Sequence, residues 1–135
     1  MSVEWRVDIE RVARYVDQHP DSFAGRWVVE GVEQTVAFTE RTEEHEAALR
    51  DLLDTPDQLR IVRFKYTWQH LIDLTEEMPS ILDSTDRVTG WGPDTKENVV
   101  VVGVRPERID EVRALLRQSH PDDVRVELGE WAIPC

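Results

Sequence analysis

The sequence predicts an α+β protein made of two similar β-β-α-β halves, each an antiparallel sheet covered on one face by helices. Three observations favour this class. Residues 86–104 are typical of two strands joined by a tight turn, with five valines between Val99 and Val104. Apolar residues elsewhere switch between helical spacing and the period of two that strands require. The order of elements in residues 23–67 also recurs in residues 86–130.

The first half is predicted over residues 23–67. A short helix precedes it at residues 8–18, where Val12 and Val16 share an apolar face. The half itself contains two strands, a helix and a third strand, predicted at residues 23–30, 34–39, 42–53 and 59–66. Thr42 is interpreted as the N-cap of this helix, because a threonine hydroxyl can accept a backbone N–H of the first turn.

The second half is predicted over residues 86–130, after a connecting helix at residues 68–85 that Pro79 ends or kinks. A hairpin and a helix come first, and a strand at residues 124–128 closes the sheet. Residues 131–135 form a short apolar tail. Because the length of 135 residues is that of one domain, we expect residues 1–135 to form a single compact unit.

The two halves keep one offset of 64 residues without a gap. The offset takes Trp27 to Trp91 (91 − 27 = 64) and Val36 to Val100 (100 − 36 = 64). The retained order indicates a structural duplication in which Trp91 is a core residue of a repeated sheet. The alternative is that Trp91 and its neighbouring glycines form a ligand site, since glycines allow a close backbone approach and an indole offers a stacking face.

The acidic balance of the chain argues against several classes of partner. Its formal net charge of −12 repels a phosphate backbone, so we expect no nucleic acid to bind. No apolar run approaches the ~20 residues of a membrane span, and the N-terminus lacks the pattern of a secretory signal. We therefore expect a cytoplasmic protein with no membrane partner. The single cysteine, Cys135, is interpreted as a frayed terminal thiol.

No residue pattern predicts an enzyme or a cofactor. The serines lie in no Gly-x-Ser-x-Gly setting, and the chain has no phosphate-binding loop or nucleotide fingerprint. His70, Asp73 and Glu77 share a helix face that could ligate a divalent metal, but a solvated polar stripe explains them as well, so no metal is predicted. The tripeptide His-Pro-Asp, at residues 19–21 and 120–122, is interpreted as a helix stop.

Five segments with patterned apolar positions carry a family resemblance. They are Phe23–Val29, Val36–Thr39, Val62–Thr67, Trp91–Val104 and Val124–Glu127. Together they resemble the pro-regions of secreted actinobacterial trypsin-like serine proteases, of the streptogrisin and alpha-lytic protease type. The resemblance implies a non-enzymatic protein that binds a chymotrypsin-fold protease as an inhibitor or folding assistant. Since no protease domain follows and no signal peptide precedes, we expect a stand-alone protein rather than a precursor.

In such pro-regions a strand pairs with the protease and the C-terminal tail enters its active-site cleft, which implies a contact surface on the second sheet and the tail. The implied contact residues are Val100, Val102, Val126, Leu128, Trp131 and Ile133. The alternative hypothesis is an acidic cytoplasmic interaction or regulatory protein with an unknown partner and no link to proteases. Its docking surface is the acidic stretch at residues 40–57, although such a stretch is also typical of a solvated helix.

Overall fold

The computed structural model describes residues 3–29, 32–82 and 86–129, and within these ranges every side chain except those of residues 3 and 4. The chain divides into two compact units, residues 1–69 and 70–135. The predicted arrangement as a single unit stays a prediction.

The first unit contains two α-helices and three strands in its described residues, with a short 3-10 helix (Pro56–Gln58) before the third strand. In chain order they are α1 (Val3–Asp17), β1 (Phe23–Val29), β2 (Glu33–Phe38), α2 (Thr42–Leu52) and β3 (Leu59–Arg63). The prediction of Thr42 as an N-cap is wrong, because Thr42 is already the first helical residue. Arg41 takes the cap position in a left-handed backbone conformation, with a φ of 53° and no side-chain hydrogen bond.

The second unit has the same order of elements. They are α3 (Trp68–Leu82), β4 (Val88–Asp94), β5 (Val99–Val104), α4 (Ile109–Ser119) and β6 (Val124–Leu128), and the first two residues of α3 still belong to the first unit. The hairpin predicted over residues 86–104 is confirmed. Its turn ends at Asn98, whose φ of 57° suits asparagine better than most residues.

The predicted α+β class and the β-β-α-β order are confirmed, but the predicted antiparallel sheets are wrong. β1 pairs antiparallel with β2, and β4 with β5. β3 pairs parallel with β2, and β6 pairs parallel with β5. The intervening helix causes this, because it carries the chain back across the sheet before the next strand begins. The strand orders are β1-β2-β3 and β4-β5-β6, so β6 is an edge strand.

Each central strand buries its helix-facing side. In the first unit, Val36 and Phe38 of β2 lie in one apolar cluster with residues of both helices and of β3, namely Val12, Val16, Leu49, Leu53 and Leu59. In the second unit, the buried apolar residues of β5, α3 and α4 include Val100, Val102, Val104, Leu71, Leu74, Met78, Leu82, Val112 and Leu116. Burial of these side chains is the main stabilising contribution within each unit.

The offset between the repeats is not constant, as the hairpins show. A β-bulge lies between Phe23 and Gly25 in β1, and another lies between Val88 and Gly90 in β4, which sets an offset of 65 for these strands (90 − 25 = 65). The central strands are then offset by 66, and the buried residues of α2 and α4 by 67, since Leu49 corresponds to Leu116 (116 − 49 = 67). The gapless offset of 64 is therefore wrong.

The helix before each hairpin also belongs to the repeat. α1 and α3 each have 15 residues. Their buried positions match in order, as Trp5, Asp8, Val12 and Val16 in α1 and Leu71, Leu74, Met78 and Leu82 in α3. Each repeat is therefore α-β-β-α-β, and α3 is its first element as well as a connection.

Because β1 and β4 are offset by 65 residues, Trp27 and Trp91 lie on opposite faces of their sheets. Directly opposed residues of paired strands share a face. Trp27 lies opposite Thr35, on the face away from the helices, and its ring stacks on Phe64 at 5.9 Å. Trp91 lies opposite Val102, on the helix face. The two tryptophans are not equivalent positions of the repeat.

Trp91 compensates for a proline in α3. Pro79 lies inside the helix and has no N–H, so the carbonyl of Thr75, four residues earlier, lacks its usual helical donor. The indole Nε1 of Trp91 donates to that carbonyl at 3.1 Å. The helix continues past Pro79 to Leu82. This contact favours the structural interpretation of Trp91 over a ligand site.

We expect Trp91→Phe to lower the free energy of unfolding by about 1–2 kcal/mol, because the Thr75 carbonyl loses its donor. The loss should shrink by about 1 kcal/mol in a Pro79→Ala background, since alanine supplies the missing helical N–H. Urea unfolding of the parent, both single variants and the double variant, followed by far-UV circular dichroism, measures this coupling. If the double variant loses the sum of the two single losses to within about 0.3 kcal/mol, the two residues are not coupled and the compensation is contradicted.

Candidate functional site

Two of the predicted partner-binding residues lie in the core of the second unit. Val100 and Val102 both have 0% exposure. They lie on the central strand β5, where both neighbours are strands and the helices cover their face. These two side chains are therefore shielded within the folded second unit, and their role as partner contacts stays a prediction. Trp131 and Ile133 lie outside the described residues.

Val126 and Leu128 lie on the edge strand β6. Val126 is half-buried, whereas Leu128 is 54% exposed. Within the sheet as described, β5 is the only strand beside β6, so the other side of the β6 backbone faces no strand. These two residues remain predicted partner contacts.

A groove of about 170 Å³ runs between α4 and β6. Apolar and basic residues line it, namely Leu116, Pro121, Val124 and Val126 together with Arg113, Arg117 and His120. Pockets for small molecules and cofactors typically measure ~300–1,000 Å³. The groove therefore suits one or two side chains of a peptide better than a cofactor.

Asp123 holds the chain in place next to this groove. Its carboxylate Oδ1 lies 3.1 Å from Nδ1 of His120, and Oδ2 lies 2.8 Å from Nε2 of His70. Its carbonyl accepts the N–H of Val100 at 2.9 Å. His70, a candidate metal ligand in the sequence, thus contacts an aspartate 53 residues away. Among the described residues, no group of three or more His, Cys, Asp and Glu side chains is arranged to hold a metal ion.

Both His-Pro-Asp segments follow the end of a helix, which confirms their interpretation as helix stops. α1 ends at Asp17 and α4 at Ser119. The N–H of His19 donates to the carbonyl of Val16 at 3.0 Å, and the N–H of His120 donates to that of Leu116 at 2.7 Å. Each histidine therefore satisfies a carbonyl in the last turn of its helix.

A buried polar cluster surrounds His45 of α2. Nδ1 of His45 lies 2.7 Å from the hydroxyl of Tyr15, and Nε2 lies 3.0 Å from Oγ of Ser22. The imidazole stacks on Phe38 with 4.0 Å between ring centroids and meets the ring of His19 edge-on at 4.9 Å. Ser22 is 2% exposed and His45 5% exposed. This serine hydroxyl is therefore shielded from any external substrate.

The surroundings of His45 favour its neutral form. Burial lowers the pKa of His45 below the usual 6.5, and the charges of His19 and Arg41 act in the same direction. Burial also raises the pKa of Tyr15, with a smaller contribution from Glu44. A neutral imidazole carries one N–H, so one of its two hydroxyl partners donates to it and the other accepts from it.

Asp8 of α1 is a second buried polar group, and it binds the loop after α2. Its carboxylate accepts the backbone N–H of Asp54 at 2.9 Å and that of Thr55 at 2.8 Å, as well as the Thr55 hydroxyl. Arg11 lies 3.4 Å away. Burial alone would raise the pKa of Asp8, but these hydrogen bonds and the Arg11 charge together lower it below the usual 3.8. The ionised carboxylate positions the chain just before β3.

Neither of these buried polar groups was identified from the sequence, and both have apolar counterparts in the second unit. Asp8 corresponds to Leu74, and His45 corresponds to Val112. The sequence offered one indication that these residues are buried, because both lie on the apolar stripe of their helix. The repeat therefore does not require these polar groups for its folding, and they are particular to the first unit.

An exposed apolar group at one end of the first hairpin was also not predicted from the sequence. Val28, Val29 and Val32 are 41%, 45% and 60% exposed. Side chains alternate between the two faces of a strand, so two successive valines place one apolar side chain on each face. This pattern could have indicated the exposed group. In the second unit the corresponding turn, residues 95–98, contains only polar residues.

No helix in the described residues has the length and apolar character needed to cross a membrane. Comparison of the sequence with models of protein families and with curated proteins finds no match.

We expect Asp8→Asn to lower the free energy of unfolding at pH 7 by about 2–3 kcal/mol, because the amide offers fewer acceptors to the buried donors of the loop. The folded-state pKa is lowered, so the contribution of Asp8 is present above about pH 3.8 and lost as the pH falls further. Urea titrations at pH 7 and pH 3 measure both effects. Glu10→Gln, on the exposed side of α1, is the control, with an expected change within about 0.5 kcal/mol. An equal loss in both variants would refute the role of Asp8.

We expect the stability of the chain to fall as the pH drops from 7.5 to 5.5, since the unfolded chain protonates His45 near pH 6.5 and the folded chain does so only at lower pH. His45→Val reproduces the apolar residue of the second unit and should flatten this dependence. Tyr15→Phe keeps the imidazole and should keep the dependence. Thermal unfolding across this pH range tests both variants, and a slope in His45→Val equal to that of the parent would contradict the assignment.

Proposed function

We propose that the chain is a non-enzymatic protein-binding module, similar in role to the pro-region of a trypsin-like serine protease, and that it adds a strand of its partner to β6. The observation that carries this proposal is the position of β6 at the edge of its sheet, with Leu128 54% exposed. The backbone of an edge strand offers N–H and C=O groups with which another strand can pair.

The other edge of the same sheet is less suited to strand addition. β4 contains Pro93, which has no N–H to donate, and the glycines at positions 90 and 92, which offer no side chain to contact. β6 contains no proline, and the groove beside it exposes part of Val124 and Val126. A strand added at β6 would gain main-chain hydrogen bonds from the edge and apolar contacts from the groove.

The burial of Ser22 and His45 supports a binding role over a hydrolase. A serine nucleophile must reach the carbonyl that it attacks, with its base at hydrogen-bond distance. Ser22 meets the distance requirement at 3.0 Å but is 2% exposed. The contact between Ser22 and His45 is explained by their burial in the core, where each polar atom serves as the hydrogen-bond partner of the other.

The acidic surface of the first unit supports a second candidate function. Glu43, Glu44 and Asp51 of α2 are exposed, and Asp54 and Asp57 follow in the next loop. A surface of this charge suits a basic partner, as in a regulatory interaction protein with no link to proteases. Binding through it would weaken with added salt, because exposed charges are screened.

We expect the purified protein, at equimolar concentration, to slow the hydrolysis of a chromogenic peptide by a streptogrisin-type protease while remaining largely intact. Leu128→Lys should weaken this inhibition about tenfold, because it places a charge beside the strand edge. Leu52→Lys is the matched control, since Leu52 of α2 is 46% exposed and lies in the other unit. It should leave inhibition unchanged.

Rapid digestion of the protein without inhibition would refute a protease as the partner. A pull-down from native cytosol would then show which of the two surfaces binds the partner. Retention by Leu52→Lys and loss by Leu128→Lys would support β6. Release by about 0.5 M salt, with no effect of Leu128→Lys, would support the acidic surface.

A further inference from the structure

The repeat allows the groove beside β6 to be compared with the corresponding place in the first unit. The buried residues His45 and Leu49 of α2 correspond to Val112 and Leu116 of α4. The same offset of 67 takes Glu46 to Arg113 (113 − 46 = 67) and Arg50 to Arg117 (117 − 50 = 67). One position of this helix face is therefore acidic in the first unit and basic in the second.

In the first unit, the acid and the arginine bind each other. Arg50 donates to Oε2 of Glu46 from Nε at 3.0 Å and from a terminal nitrogen at 2.7 Å. The guanidinium also donates to the carbonyl of Pro56 at 2.5 Å and to that of Leu59, the first residue of β3, at 3.4 Å. The carboxylate and the guanidinium thus satisfy one another between the helix and the last strand.

In the second unit, Arg113 takes the position that Glu46 has in the first. Arg113 and Arg117 lie one helical turn apart and both line the groove. Within the described part of the chain, neither guanidinium forms an ion pair or a side-chain hydrogen bond. Other arginines of the same unit are paired, as Arg87 is with Glu111 at 3.0 Å. Like charges one turn apart repel, and no carboxylate of the described residues pairs with either arginine to offset this repulsion.

We propose that this groove binds carboxylates of an acidic, extended segment of a protein partner, with two acidic side chains separated by one residue. This inference rests on the proposed addition of a strand at β6 and names the chemistry of that strand. Alternate residues of an added strand would lie on the α4 face of the sheet, beside Val124 and Val126. An arginine binds a carboxylate in a bidentate manner more strongly than a neutral group.

The dimensions of the groove agree with this occupant. Side chains at alternate positions of a strand are about 6–7 Å apart, and residues one helical turn apart are separated by about 5–6 Å. Two acids at positions i and i+2 can therefore reach Arg113 and Arg117 together. The volume of about 170 Å³ holds side chains and leaves little room for a larger ligand. Arg117 lies in the last turn of α4, where the helix dipole interacts favourably with a positive charge. Its charge therefore costs little in folding free energy.

A phage-displayed library of random twelve-residue peptides, selected on the full-length protein, tests the inference without an assumed partner. We expect enrichment of sequences with two Asp or Glu residues separated by one residue. The best enriched peptide, synthesised with a fluorescent label, should bind Arg113→Glu at least tenfold more weakly than the parent. This substitution places an acid one turn before Arg117, as Glu46 precedes Arg50, so the variant should fold with a thermal stability no lower than that of the parent.

Arg105→Glu is the matched control. Arg105 is exposed, lies in the same unit outside the groove, and gives the same change in net charge. Peptide binding that falls equally in both variants would overturn the inference in favour of a general charge effect. Enriched peptides without acids, or binding unaffected by Arg113→Glu, would overturn it and leave strand addition at β6 intact. A selection that enriches no strand-forming peptide would refute strand addition itself.

Discussion

The parallel pairing of the last strand of each unit with the central strand is the constraint on which the rest of the structure depends. A strand can run parallel to its neighbour only when the chain crosses the sheet between them, and α2 and α4 make these crossings. Each crossing helix covers one face of its sheet and buries Val36 or Val102 of the central strand. The same connection makes β6 an edge and forms the groove between it and α4.

The two units share one arrangement of helices and strands but differ in the residues that they bury. The first unit buries Asp8 and His45, and each finds its hydrogen-bond partners within the unit. The second has the apolar residues Leu74 and Val112 at these positions, and its buried Asp123 contacts His70 and His120 instead. Buried polar groups are costly unless satisfied, so each unit depends on a different polar network.

The helices and strands were predicted correctly from the sequence, but the alignment of the two repeats was not. The spacing of Val12 and Val16, the valine-rich strand and the turn at Asn98 each reflect contacts between residues close in the chain. The offset of 64 relied on Trp27 and Trp91, two rare residues that the strand register places on opposite faces. A shift of one residue moves every side chain of a strand to the other face. In the helices the offset of 64 is wrong by three residues, and this error hid the correspondence of Glu46 with Arg113, from which the groove is interpreted.

Periodicity and proline positions act over a few residues, so the α+β class, the order of the elements and the ends of most helices were predictable from the sequence. The direction of β3 and β6, the burial of Val100 and Val102, and the contact of His70 with Asp123 emerged only in the folded structure. These depend on pairing between segments far apart in the chain, which local propensity does not specify. The edge at β6 and its groove exist only once that pairing is made.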